Sequence, residues 1–134
     1  MLVANAHARA VAVFERAHGH RFRWGSHDCC QFAAKIRKAR TGKDPRGLFP
    51  RYRTRAEASA LLEKHGGMRG LLERGLGTPV HPSQAKEWDI VLVDFGRGQG
   101  EQPAVCRGVF SYAPGMRNLQ KVETLKATAA WVLE

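Results

Sequence analysis

The residues best suited to chemistry in this chain lie in one short stretch, Ser26-His27-Asp28-Cys29-Cys30. Apolar spacing at Cys29, Phe32, Ala33 and Ile36 predicts a helix that opens here, with Asp28 as its N-cap and an end near Thr41-Gly42. A cysteine in the first turn of a helix meets outward-pointing amides and the positive end of the helix dipole, both of which favour the nucleophilic thiolate. Arg21, Arg23 and His27 would add positive charge from nearby. Cys29 is therefore a candidate nucleophile, and His27, two residues away, an alternative candidate base. The same position also falls on the apolar face of the helix, where a free cysteine is a small buried filler. That is the plainer reading of the pattern alone, and Cys30 would fill the role equally well.

The cysteine count points to reduced thiols. There are three, an odd number, and two of them are adjacent, which is no disulfide framework. No CxxC pair is present and Cys106 lies far along the chain, so neither a metal nor a cofactor is expected.

Charge divides the 134 residues unevenly. Residues 1–75 hold 16 Lys/Arg and 6 Asp/Glu and carry all of the net +10, while residues 76–134 hold 6 of each. The excess is densest from Arg21 to Arg55, with 11 basic residues against Asp28 and Asp44. Such a field favours an anionic partner, whether nucleic acid, a cell envelope or an acidic protein face. A solvated basic surface accounts for the asymmetry equally well. No apolar run is long enough to span a membrane, and Met1–Ala17 lacks the unbroken apolar core of a signal peptide. The chain is expected to be made in the cytosol without an export signal of its own.

The elements that must position Cys29 follow from periodicity. Ala6, Ala10, Val13, Phe14 and Ala17 predict a first helix over about Ala4–Ala17, stopped by Gly19. Gly42 to Arg53 reads as a loop, and Thr54-Arg55-Ala56-Glu57 as a capping box opening a further helix that Gly66-Gly67 closes. A short helical segment over Met68–Arg74 should stop at Gly75. Beyond residue 85 the period changes. Trp88–Phe95 predicts a strand buried on both faces, Gly96–Gly100 a turn-rich loop, Ala104–Tyr112 and Leu119–Val122 two more strands, and Ala129–Leu133 a last one. The expectation is one α+β domain over 1–134, with a helical part (about 1–75) packed on a small antiparallel sheet (about 86–134).

The stretch Trp24-Gly25-Ser26-His27-Asp28-Cys29-Cys30-Gln31-Phe32-Ala33 resembles the nucleophile motif of NlpC-type peptidases, papain-like enzymes that cut peptidoglycan stem peptides. Asp89-Ile90-Val91-Leu92-Val93 resembles that family's Gly-Asp-Leu-Val strand, with Trp88 in place of the glycine. Ala104-Val105-Cys106-Arg107-Gly108 resembles the next strand, which in active members starts with the catalytic histidine. The sequence is more similar still to a phage- and prophage-encoded branch of this superfamily. The shared features are the Trp-Gly-x-x-Asp-Cys-Cys start, the Gly42-Lys43-Asp44-Pro45 loop, Gly66-Gly67 before Leu71-Leu72, and Trp131 near the end.

The resemblance implies a papain-like NlpC-type fold with Cys29 as nucleophile. Counting back from Gly108, it places Gln102 where the histidine base would stand. A glutamine cannot take a thiol proton at neutral pH, and general-base assistance of that kind is worth about 10²–10⁴-fold. None of His7, His18, His20, His27, His65 and His81 lies on that strand. Proteins of this branch are tail-associated, so the resemblance implies a structural or adaptor subunit of a bacteriophage tail tip or baseplate, built on a degenerate peptidase fold. Such a subunit would be made in the host cytoplasm, carried in the virion and partnered by other tail proteins. The alternative is an active cysteine endopeptidase acting on peptidoglycan during genome entry. A third reading, a nucleic-acid-binding module, rests on charge alone and lacks a recognisable reader motif.

Overall fold

Helix α1 forms over Ala6–Ala17 in the computed structural model of the chain, two residues later than its apolar stripe suggests. Asn5 takes a left-handed conformation at φ 57° as the chain enters the helix. The structure describes residues 1–96 and 98–133. Arg97 in the predicted Gly96–Gly100 loop and Glu134 at the end of the predicted sheet part therefore lie outside the described residues.

Helix α2 runs over Cys29–Thr41 between the expected caps, Asp28 and a left-handed Gly42 at φ 75°. Phe32, Ala33 and Ile36 are buried and Lys35 and Lys38 exposed, as the spacing requires. The Gly42–Arg53 segment is not all loop. Asp44 caps a single helical turn, Pro45–Leu48 (α3), by accepting from the Arg46 amide, with Pro45 at the first helical position. Four residues are too few to leave a periodic signature. The capping box does open α4 (Arg55–Lys64), where Thr54 Oγ1 accepts from the Glu57 amide at 3.1 Å.

Helix α5 corrects the expected stop at Gly75. It runs over Gly67–Leu76 and ends at Gly77, with Gly75 inside it. A Cβ at Gly75 would lie 2.5 Å from Leu48 Cδ1 and 3.4 Å from Leu48 Cα, so this glycine allows α5 to close on α3. An interior helical Gly→Ala change ordinarily gains up to about 1 kcal/mol. Here Gly75→Ala should instead cost about 1–3 kcal/mol, because the fully buried Leu48 must shift within the core to admit the Cβ. A denaturant midpoint at or above the parent's would contradict that packing.

The second half of the chain supplies β1 (Ile90–Asp94), β2 (Glu101–Cys106), β3 (Phe110–Pro114), β4 (Leu119–Glu123) and β5 (Ala129–Trp131). They pair antiparallel in the order β4-β3-β2-β1-β5, so the chain returns from one edge of the sheet to place β5 beside β1. The single strand predicted over Ala104–Tyr112 is a hairpin. Gly108 at φ 103° turns the chain between β2 and β3, and Arg107 N–H donates to Phe110 O at 2.9 Å. Apolar residues on both sides of that turn conceal it in the sequence.

The strand predicted from Trp88 begins two residues later, because Trp88 itself sits at φ 78°, outside the β region. Ile90 to Val93 are fully buried, as a strand covered on both faces demands. Alternation along β1 sends Ile90 and Leu92 into a core shared with Phe14, Phe32, Leu72 and Trp131. Val91 and Val93 join a second cluster with Ala104, Cys106 and Ala130. The helical and sheet parts thus meet in the first cluster. No helix among the described residues is long and apolar enough to cross a membrane.

Candidate functional site

Cys29 occupies the first position of α2, and the turn before it is built around a buried carboxylate. Asp28 is 1% exposed and accepts three donors: the Gln31 amide on Oδ1 at 2.8 Å, the Gly25 amide on Oδ2 at 2.8 Å, and the Tyr52 hydroxyl, which lies 2.8 and 2.7 Å from its two oxygens. One side chain therefore fixes the helix start, the preceding turn and the loop that follows α3. Gly25 is required where it stands. It has φ 78°, and a Cβ there would fall 2.3 Å from the Tyr52 carbonyl oxygen. Burial, then the neighbouring Cys30 and the Asp28 carboxylate, push the Tyr52 phenol well above its ordinary range, so it remains a donor. Tyr52 was not legible as part of this site. Its place between two arginines in a Gly/Pro-rich loop is the signal that could have found it.

The two adjacent thiols are distinguished by burial. Cys30 is 8% exposed and donates to Met68 Sδ at 3.8 Å. The adjacent Cys29 thiol, followed by burial, holds its thiol well above the usual range. The filler role thus falls to Cys30. Cys29 is half-buried and packs against members of both core clusters, where α2 meets the sheet.

Gln102 lies on β2, opposite Val93 of β1, and is half-buried. Its Nε2 donates to Gln99 Oε1 at 3.1 Å, and Gln120 Nε2 on β4 approaches the same oxygen at 3.4 Å. Three amides thus tie the loop before β2 to the far strand, an arrangement that orients neutral groups and holds no base. The roles of Gln99 and Gln120 in it depend on strand pairing, which the sequence does not print.

No described imidazole is hydrogen-bonded to Cys29, and each histidine has other surroundings. His7 Nδ1 accepts from Trp88 Nε1 at 2.9 Å, and His18 Nδ1 lies 3.1 Å from Phe14 O. His81 caps the turn at Pro82–Gln84 and bonds Ser83, while His65 ends α4. His27 packs its ring on His20, with centroids 4.9 Å apart, and lines a groove between α1 and α2 that Cys29 does not line.

The basic segment is likewise divided. Arg21, Arg23, Lys35 and Lys38 line that groove, Arg46 pairs with Asp44 at 3.0 Å, and Arg37 is buried. Arg51, Arg53 and Arg55 are exposed away from it. Among the described residues, no three His, Cys, Asp or Glu side chains converge as metal ligands.

Burial, then His20 and Lys35, hold the His27 imidazole below its ordinary value, opposed by the Asp28 carboxylate. A histidine lowered in this way contributes its full stability above the unfolded value of about 6.5, and that contribution is lost as pH falls toward the folded value. The parent should therefore lose stability between about pH 7.5 and 5.5, and His27→Phe should lose less over the same interval. Denaturant midpoints at the two pH values measure this, and equal slopes would contradict it.

A model of one protein family, described as a domain of unknown function (DUF6950), matches residues 1–133. No curated protein matches the chain.

Proposed function

The chain belongs to the DUF6950 family, and from that premise we propose that it is a structural or adaptor subunit of a bacteriophage tail tip or baseplate, built on a papain-like NlpC-type fold that has lost its catalytic base. One observation carries the reading. A cysteine at a helix start packs beside an antiparallel sheet, as in a cysteine peptidase, while the strand position expected for the base holds Gln102 bonded to Gln99. A thiol without a neighbouring base lacks the group that would take its proton and return it to the leaving amine. Cys29 and Gln102 on this reading are remnants of a nucleophile and base, retained for packing and for amide bonding. The organised turn at Asp28 then serves to hold a shape for neighbouring tail proteins.

The reading is tested in a phage that encodes the chain. The protein should be found in purified tails, its deletion should block completion of infectious particles, and Cys29→Ala should restore infectivity to the parent's level. Tails that lack the protein, or a Cys29→Ala phage as defective as the deletion, would overturn the proposal. The second of these outcomes would favour the active endopeptidase.

A further inference from the structure

The cations of the first two helices converge on one concavity. A groove of about 680 Å³ runs between α1 and α2, and Ser26 and His27 of the turn that precedes Asp28 also line it. Arg9 and Arg16 of α1, Arg21 and Arg23 of the link, and Lys35 and Lys38 of α2 line it. No acidic side chain lines it, and among the described residues none of these six cations forms an ion pair. Gathering like charges without partners opposes folding unless something else offsets the repulsion.

The wall of the groove adds a second, independent feature. His27 lines it at 8% exposure, and its buried Nε2 has no hydrogen-bond partner. Buried polar nitrogens are normally satisfied, so His27 brings unused hydrogen-bonding capacity to the groove wall. The turn that carries the ring is fixed by its own backbone and by α2. His27 exchanges backbone hydrogen bonds with Arg23 at 2.8 and 2.9 Å, and Lys35 Nζ donates to Ser26 O at 2.6 Å, drawing α2 against the turn. Val13, Phe32 and Ala39 supply apolar wall between the charges.

We propose that this groove binds a small polyanion built on two or three linked phosphates, with the lining arginines and lysines meeting its oxygens beside the His27 ring. Arginine forks match phosphate oxygens two at a time, and lysines add point charges without geometric demand. The volume suits a ligand of nucleotide size, since small-molecule sites span roughly 300–1,000 Å³. A long nucleic acid would be served better by an open basic stripe. Arg51, Arg53 and Arg55, which would extend one, lie outside the groove.

The test uses the full chain, free of magnesium, with ATP and inorganic tripolyphosphate as probes and adenosine as the uncharged control. Binding is followed by calorimetry and by the imidazole resonances of His20 and His27. Both polyphosphates should bind saturably and move those resonances, and adenosine should do neither. Tighter binding of ATP would identify an organic polyphosphate, and equal or tighter binding of tripolyphosphate a free one; both support the site. The double variant Arg16→Glu/Lys38→Glu should weaken binding by about tenfold or more, whereas Lys64→Glu/Lys126→Glu, with the same change in net charge away from the groove, should retain it. Arg9→Gln/Arg16→Gln, a milder change on α1 alone, should weaken binding in the same direction. Unmoved imidazole resonances, equal losses in the two charge-reversed doubles, or tighter binding of a single-stranded oligonucleotide than of either probe would overturn the proposal.

Discussion

Replacing Asp28 by alanine should remove about 3–5 kcal/mol of stability, because a buried carboxylate that satisfies three donors leaves all three unpaired when it is deleted. The Tyr52 hydroxyl would remain inside the protein, protonated and with no acceptor. The Gly25 amide would lose its side-chain acceptor, and the first turn of α2 would lose its cap. Small domains are stable by about 5–15 kcal/mol in total, so a loss of this size should lower the denaturant midpoint severely or prevent folding at growth temperature. Tyr52→Phe removes one donor and leaves the two amide bonds intact, so it should cost only about 1–2 kcal/mol. That variant keeps the prediction testable if Asp28→Ala does not fold. An Asp28→Ala protein within about 1 kcal/mol of the parent would contradict the role given to this carboxylate.

The second large effect is expected at Trp88. Its side chain is 1% exposed, donates from Nε1 to His7, lies edge-on to Phe14, and carries the Arg107 guanidinium 4.3 Å from its ring centroid. Truncation to alanine should cost about 3–5 kcal/mol through the cavity it leaves. The order of small replacements is more diagnostic than the size. Trp88 sits at φ 78°, where any residue with a Cβ is strained by about 1–2 kcal/mol relative to glycine. Trp88→Gly should thus be more stable than Trp88→Ala by about 1 kcal/mol, the reverse of the usual preference. Equilibrium urea unfolding of the two variants measures the difference, and an alanine variant of equal or greater stability would contradict it.

Where one residue type carried one backbone demand, the sequence was legible. Asp28 before an apolar period marked the start of α2, Thr54 and Glu57 marked α4, and four consecutive apolar residues marked β1. It was misleading where a glycine had two possible uses. Gly75 read as a helix stop and instead makes room for Leu48, while Gly108 did not read as a turn and is one. The Cys29 environment was legible as a helix start, but the direction of His27 was not, because a loop side chain is aimed by its tertiary neighbours. Those neighbours are His20 and Phe32, and they hold the ring at the α1–α2 groove. The groove was half visible for the same reason. Its α2 cations stood in the dense basic segment, but Arg9 and Arg16 join them only when α1 packs on α2.

Turnover of purified peptidoglycan by the parent, beside Cys29→Ala and Gln102→His, tests most directly the claim that this is a cysteine-peptidase fold without a base. The parent should release no stem-peptide fragments beyond those released by Cys29→Ala, and Gln102→His, once freed from Gln99, is the one variant in which cleavage should appear. Clear cleavage by the parent that disappears in Cys29→Ala would contradict the account and make the chain an enzyme.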